Sequence, residues 1–162
     1  MRLSDSRVFH SSSPAATRRL AAEFAKKISV STIFSLTGPI GSGKTTFVQG
    51  LGASLGIRQA ITSPTFTLLH EYPLKKRWAG WTLYHFDLYR MKSADDFLRE
   101  GFEEILQQPR SIIAIEWPNR VLRLFPSLHT LFFSFASIEN KKRPVRGGRS
   151  SAVKKITVQE NL

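Results

Sequence analysis

No cysteine occurs among the 162 residues. That excludes a disulfide scaffold, a Cys-ligated zinc or iron–sulfur centre and thiol catalysis, and it fits a reducing compartment. Long apolar runs are missing too: no stretch approaches the roughly 18 residues that a bilayer-spanning helix needs. Met1 to His10 lack both the apolar core of a secretory signal and the amphipathic pattern of an organellar one. The expectation is a cytoplasmic protein with no membrane span.

Acidic residues are scarce, with 12 Asp and Glu against 24 Lys and Arg, a formal charge of +12. Residues 1–30 carry six basic and two acidic side chains, residues 31–138 eleven and eight, and residues 139–162 seven and two. The excess sits at the two ends. It suits a nearby polyanion, RNA or an acidic partner, or else a solvated basic tail. At 18.3 kDa and 41% hydrophobic residues, the chain has room for one domain over 1–162, with 1–12 and 139–150 expected to be flexible.

What the sequence does contain is organised around Gly38-Pro39-Ile40-Gly41-Ser42-Gly43-Lys44-Thr45, which fits G-x-x-x-x-G-K-[S/T]. A β-type run, Thr32 to Thr37, precedes it and a helix-like run from about Lys44 to Leu55 follows, with Gly56 as its C′ residue. In such a loop glycines let successive N–H groups converge on phosphate oxygens at a helix N-terminus. Lys44 would reach the β- and γ-phosphates and the Thr45 hydroxyl would ligate Mg²⁺.

Around this core the chain alternates. Ser13-Pro14 opens a helix with Leu20, Phe24 and Ile28 as its apolar stripe. Ile61 to His70 reads as an extended segment, interrupted by Pro64, that pairs as a hairpin with Trp81 to Asp87 across the charged turn Lys75-Lys76-Arg77. Ser93-Ala94-Asp95-Asp96 resembles a capping box that opens a helix toward Gly101, followed by a short helix from Phe102 to Leu106. Ser111 to Trp117 is the most apolar strand, expected at the sheet centre; Pro118 to Leu124 reads as helical and Leu128 to Ala136 as a strand. A basic stretch from Asn140 to Ser150 leads to a last edge strand near Val153 to Val158. The pattern predicts an α/β fold like the P-loop nucleotide hydrolases, a mostly parallel sheet flanked by helices with a β-hairpin insertion.

A phosphate loop needs a second acid near Mg²⁺, and Glu116 and Asp87 both end strands of the apolar kind. In doubly wound sheets ligands sit beyond the carboxyl ends of the strands, so both acids can converge on the loop. Glu116 is the better metal candidate; the alternative for either acid is a capping or surface carboxylate. Ser63-Pro64-Thr65-Phe66 is a polar turn in an apolar run, where Thr65 suits a switch-like role, or Pro64 merely starts a strand. His70 and His85 lack a third ligand at metal spacing and are read as packed or solvated. Arg90 is read as a partner for a carboxylate or phosphate, or as surface charge.

The loop, Ser63-Pro64-Thr65-Phe66, His85-Phe86-Asp87-Leu88-Tyr89-Arg90 and Glu116-Trp117, in that order, resemble the TsaE (YjeE) family over roughly residues 14–126. These are bacterial ATPases required for threonylcarbamoyladenosine modification of tRNA. The resemblance implies that Gly41, Ser42, Gly43, Lys44, Thr45 and Thr46 bind ATP or ADP, that Thr45 and Glu116 hold Mg²⁺, and that Asp87 and Thr65 serve hydrolysis with Lys44. It places Thr17 near the nucleotide base and Trp117 beside the site. It implies a TsaD-type transferase subunit and a TsaB-type protein as partners, with tRNA contacted indirectly. The chain departs from the family in its longer basic stretch from Lys141 to Lys155, so no role carries over to Arg149. Pro118-Asn119 stand where many members carry an acid, so that acid's role does not carry over either. No arginine finger follows from the spacing, so slow turnover stimulated by a partner is expected. The rival readings are a small-molecule P-loop kinase and an RNA-binding module.

Overall fold

A computed structural model describes residues 6–125, 129–138 and 153–160. Seven strands form one sheet: β1 (Arg7–Ser11), β2 (Thr32–Thr37), β3 (Leu69–Pro73), β4 (Thr82–Asp87), β5 (Ser111–Glu116), β6 (His129–Ile138) and β7 (Val153–Glu160), in the order β1-β7-β6-β2-β5-β4-β3. Strands β6, β2, β5 and β4 run parallel, and both edges close with antiparallel pairs, β3 on β4 and β7 and β1 beyond β6. Parallel strands buried on both faces read as continuous apolar runs, and β5 is buried at all six positions.

Two helices, α1 (Pro14–Ala25) and α2 (Lys44–Ser54), cover one face. There Phe34, Leu36, Phe47, Leu51, Phe133 and Phe135 make an aromatic-rich core. The other face packs Ile33, Ile113, Ile115 and Phe86 against Phe97 of α3 (Ala94–Arg99) and Leu106 of α4 (Glu103–Leu106). Strand alternation makes this split: Ile33 turns to one core, while Phe34 and Leu36 belong to the other.

The local signals work as read at several points. Ser13 caps α1 by accepting from the Ala16 N–H, with Pro14 following, and Ser93 and Asp96 form a reciprocal capping box on α3. Gly50 lets α1 and α2 touch, because a Cβ there would lie 2.5 Å from the Arg18 backbone.

Other expectations are corrected. Residues 7–11, expected to be flexible, form β1, because β7 offers them a full antiparallel register from Arg7↔Val158 to Ser11↔Lys154. Strand β7 is therefore an inner strand and β1 the edge. Central position falls to β2, with β5 beside it. Of the extended segment expected over 61–70 only Leu69 and His70 are strand, residues 61–64 being irregular and 65–67 a turn, and the hairpin pairs only Leu69–Pro73 with Thr82–Phe86. Pro118 to Leu124 forms two 3₁₀ turns, Pro118–Arg120 and Leu122–Leu124, instead of one helix. The stretch from Asn140 to Ser150, and Leu128 of the expected strand, lie outside the described residues. Among the described residues no helix is long and apolar enough to cross a membrane.

Candidate functional site

Strand alternation brings the two acids together. Leu83, His85 and Asp87 on β4, and Ile112, Ala114 and Glu116 on β5, occupy alternate positions on the face that packs against α2. In the parallel register Asp87 stands opposite Glu116, both at the carboxyl ends of their strands. Both are nearly fully buried, and the loop 38–43 leaves β2 beside them.

The loop has a backbone that only certain residues tolerate. Gly38 has φ of 141°, and a Cβ there would meet the Phe135 carbonyl oxygen at 2.5 Å. Gly43 caps α2 in a left-handed conformation, φ of 103°. Among the described residues no side chain caps α2, so its first N–H groups face the loop without a side-chain acceptor, the arrangement that suits an anion. Ser42 is buried, its hydroxyl without a hydrogen-bond partner among the described residues.

Lys44 is buried, and its ammonium donates to the carbonyl oxygens of Gly38 (2.8 Å) and Pro39 (3.1 Å). The same ammonium lies 4.0 Å from the centroid of the Trp117 ring. Burial pushes the Lys44 pKa down; Glu116 and Asp87 oppose that shift, and Lys154 adds to it. Trp117 stands at the end of β5 with φ of 61°, its N–H donating to the Leu36 carbonyl oxygen at 3.1 Å. A left-handed non-glycine residue costs about 1–3 kcal/mol, a local strain of the kind that clusters at functional sites.

Glu116 Oε1 accepts from the Thr45 hydroxyl at 2.8 Å and lies 3.0 Å from His85 Nε2. Asp87 is occupied differently. Its Oδ2 accepts from the hydroxyls of Ser63 and Thr65, the latter at 2.6 Å, and its Oδ1 accepts the Tyr89 N–H at 3.0 Å. Asp87 thus ties the 63–65 turn to β4, while Glu116 faces the start of α2. Phe66, at the turn's tip, is 85% exposed, with the Arg90 guanidinium 5.1 Å from its ring centroid.

The oxygen pair formed by Thr45 and Glu116 is the donor set that a hard cation such as Mg²⁺ takes. Mg²⁺ prefers one or two protein oxygens and fills its remaining positions with phosphate and water. No group of three or more His, Cys, Asp or Glu that would hold a metal by itself occurs among the described residues. The residues present therefore fit Mg²⁺ together with a phosphate ligand.

Of the residues singled out in the sequence, Lys44, Thr45, Thr65, Asp87, Glu116 and Trp117 are gathered around one end of the sheet. Gly41, Ser42, Gly43 and Thr46 belong to the loop and the first turn of α2. Thr17 is on α1, fully buried, 2.8 Å from the Ser11 hydroxyl. Two contacts were not foreseen, those of His85 and Lys154. His85 shares its face of β4 with Asp87, a signal legible in the alternation. Lys154 reaches the loop from β7, its ammonium 3.1 Å from the Gly41 carbonyl oxygen, and that depends on a pairing no local pattern reveals.

A family model described as "Threonylcarbamoyl adenosine biosynthesis protein TsaE" matches residues 11–145. The chain belongs to the TsaE family. Curated family members include proteins of Borreliella burgdorferi (43% identical over 97 residues, 60% of this chain and 67% of that protein) and Synechocystis (40% over 111 residues, 67% and 68%). The Rickettsia conorii member is 35% identical over 129 residues, 78% of this chain and 69% of that protein. All three are named tRNA threonylcarbamoyladenosine biosynthesis protein TsaE. The crystal structure of Bacillus subtilis YdiB shares the fold, with a TM-score of 0.63 at 22% identity over 96% of this chain and 85% of that one. The match to the family model takes in the loop, the 63–66 turn, Asp87 and Glu116.

Proposed function

We propose that this protein is a Mg²⁺-dependent ATP-binding protein and a slow ATPase that serves threonylcarbamoyladenosine modification of tRNA. It acts on a complex of a TsaD-type transferase subunit and a TsaB-type protein. The observation that carries the reading is the contact of Thr45 with Glu116 at the foot of a loop that has a buried lysine and an uncapped helix N-terminus. The names of the relatives supply the pathway.

Each residue then has a task. The N–H groups of the loop and of the first turn of α2, from Gly41 to Thr46, bind the phosphates, and Lys44 exchanges the Gly38 and Pro39 carbonyls for phosphate oxygens. Thr45 and Glu116 hold Mg²⁺, which neutralises phosphate charge when bound. Asp87 holds Thr65 in reach of the terminal phosphate, and Trp117 shields the lysine. Positioning and fixed charge are most of what phosphoryl transfer asks of a protein. A partner that completes the site would raise a slow intrinsic rate.

The test is ATP hydrolysis by the purified chain, alone and with a purified TsaB–TsaD-type pair, beside Lys44→Ala. Slow turnover that the pair stimulates and Lys44→Ala abolishes is the expected result. Turnover indifferent to the pair, or ATP consumed only when a small acceptor is added, would favour a kinase instead.

A further inference from the structure

The site has two sides. The loop leaves β2; the acids stand on β5 and β4 to one side of it, and β6 and β7 lie on the other. Parallel β6 continues past the end of β2: Thr37 pairs with Ser134, and Ser137, three residues on, pairs with Lys154. At about 3.3 Å per residue, that carries Lys154 roughly 10 Å beyond the level at which β2 ends. Ile156 and Val158, two and four residues along β7, belong to the core under α1 and α2, so Lys154 lies on the loop's face of the sheet.

The side chain follows that placement. The Lys154 ammonium donates to the Gly41 carbonyl oxygen at 3.1 Å, and a Cβ added to Gly43 would lie 2.9 Å from it. Lys154 therefore overhangs the mouth of the loop, while Lys44 is turned toward Trp117 and the acids. Burial lowers the pKa of Lys154, as it does that of Lys44. Two partly desolvated ammonium groups that share one loop repel each other, and an anion between them removes that cost.

Geometry also says which part of a nucleotide lies there. Thr45, Glu116 and Asp87 fix the metal and terminal-phosphate end on the β5 side, so the nucleoside leaves on the β7 side. That side is continuous with α1. Ser11, the cross-strand partner of Lys154, lies 2.8 Å from the Thr17 hydroxyl.

We infer that Lys154 is a second nucleotide-binding cation, one that contacts the phosphate next to the nucleoside and so makes the C-terminal strand β7 part of the nucleotide site. The inference rests on the ATP-binding reading given above. It makes Lys154 indifferent to the γ-phosphate.

The experiment is a calorimetric titration of the full chain and of Lys154→Gln, Lys154→Arg and Lys155→Gln with MgATP, MgADP and magnesium tripolyphosphate. A charge-assisted hydrogen bond is expected to be worth about a tenfold change in affinity or more. Lys154→Gln should weaken MgATP and MgADP by the same factor, and tripolyphosphate, which carries a phosphate at the same place, by a similar one. Lys154→Arg should restore most of the loss. Lys155→Gln, which removes the same charge from the next residue, should bind like the parent. Unchanged nucleotide affinity in Lys154→Gln would overturn the inference, as would a loss confined to ATP. A parent chain that binds neither nucleotide would instead remove the ATP-binding reading itself.

Discussion

Replacing Asp87 by alanine separates two roles that one buried carboxylate can have. The Asp87 carboxylate accepts from the hydroxyls of Ser63 and Thr65 and from the Tyr89 N–H. Hydrogen bonds to a charged acceptor are worth about 1.5–3 kcal/mol each, and the half-exposed hydroxyls place these at the low end. Losing both hydroxyl contacts therefore costs the 61–68 segment about 3 kcal/mol of local stability, or about a hundredfold in its opening equilibrium. Amide exchange read by mass spectrometry reports this directly. Leu68, whose N–H donates to the Pro64 carbonyl at 2.6 Å, is the natural probe. In Asp87→Ala its exchange should speed up by about two orders of magnitude, while the buried amides of β2 and β5 keep their protection. ATP turnover should fall with nucleotide binding retained. Unchanged exchange over 61–68, joined to a loss of Mg²⁺-dependent binding, would refute this account and make Asp87 a metal ligand.

Further expectations follow from the same geometry. Gly38→Ala forces a Cβ onto the Phe135 carbonyl, whereas Gly41 has nothing within 4 Å. Urea unfolding should show Gly38→Ala losing at least about 2 kcal/mol and Gly41→Ala about 1 kcal/mol, from positive φ alone. His85→Leu takes the ring away from Glu116 and should raise the Mg²⁺ concentration needed for half-maximal ATP turnover about tenfold, as losing the group that orients a metal ligand does. Lys44 has a folded-state pKa below its ordinary 10.5, so between those two values the unfolded chain binds more protons. Stability contributed through Lys44 thus rises with pH across that window. Denaturation of the parent and Lys44→Met from pH 7 to 10.5 should show the difference moving in the parent's favour as pH rises.

Much of the site was legible because its parts are local or periodic. The loop is a contiguous pattern, and strand alternation alone puts Asp87 and Glu116 on one face at one end. Failure came where a partner distant in sequence decides the outcome. Arg7–Ser11 is only five residues long, too short a run to mark a strand by itself, and becomes β1 through its pairing with β7. Ser63 and Thr65 sit in a run rich in β-branched residues, yet the run bends because the Asp87 carboxylate, over twenty residues away, takes their hydroxyls. Lys154 reads as one more charge in a basic tail until the register with β6 carries it over the loop. His85, read as packed or solvated, is indeed buried; what that reading lacked is its contact with Glu116, although it lies two residues from Asp87 on the same face.

The central claim, that the loop, Lys44, Thr45 and Glu116 form a MgATP site, is tested most directly by calorimetric titration of MgATP into the parent chain and into Lys44→Ala. A saturable heat at one nucleotide per chain, dependent on Mg²⁺ and lost in Lys44→Ala, is the predicted result. Binding of equal strength in both chains, or none in the parent, would contradict it.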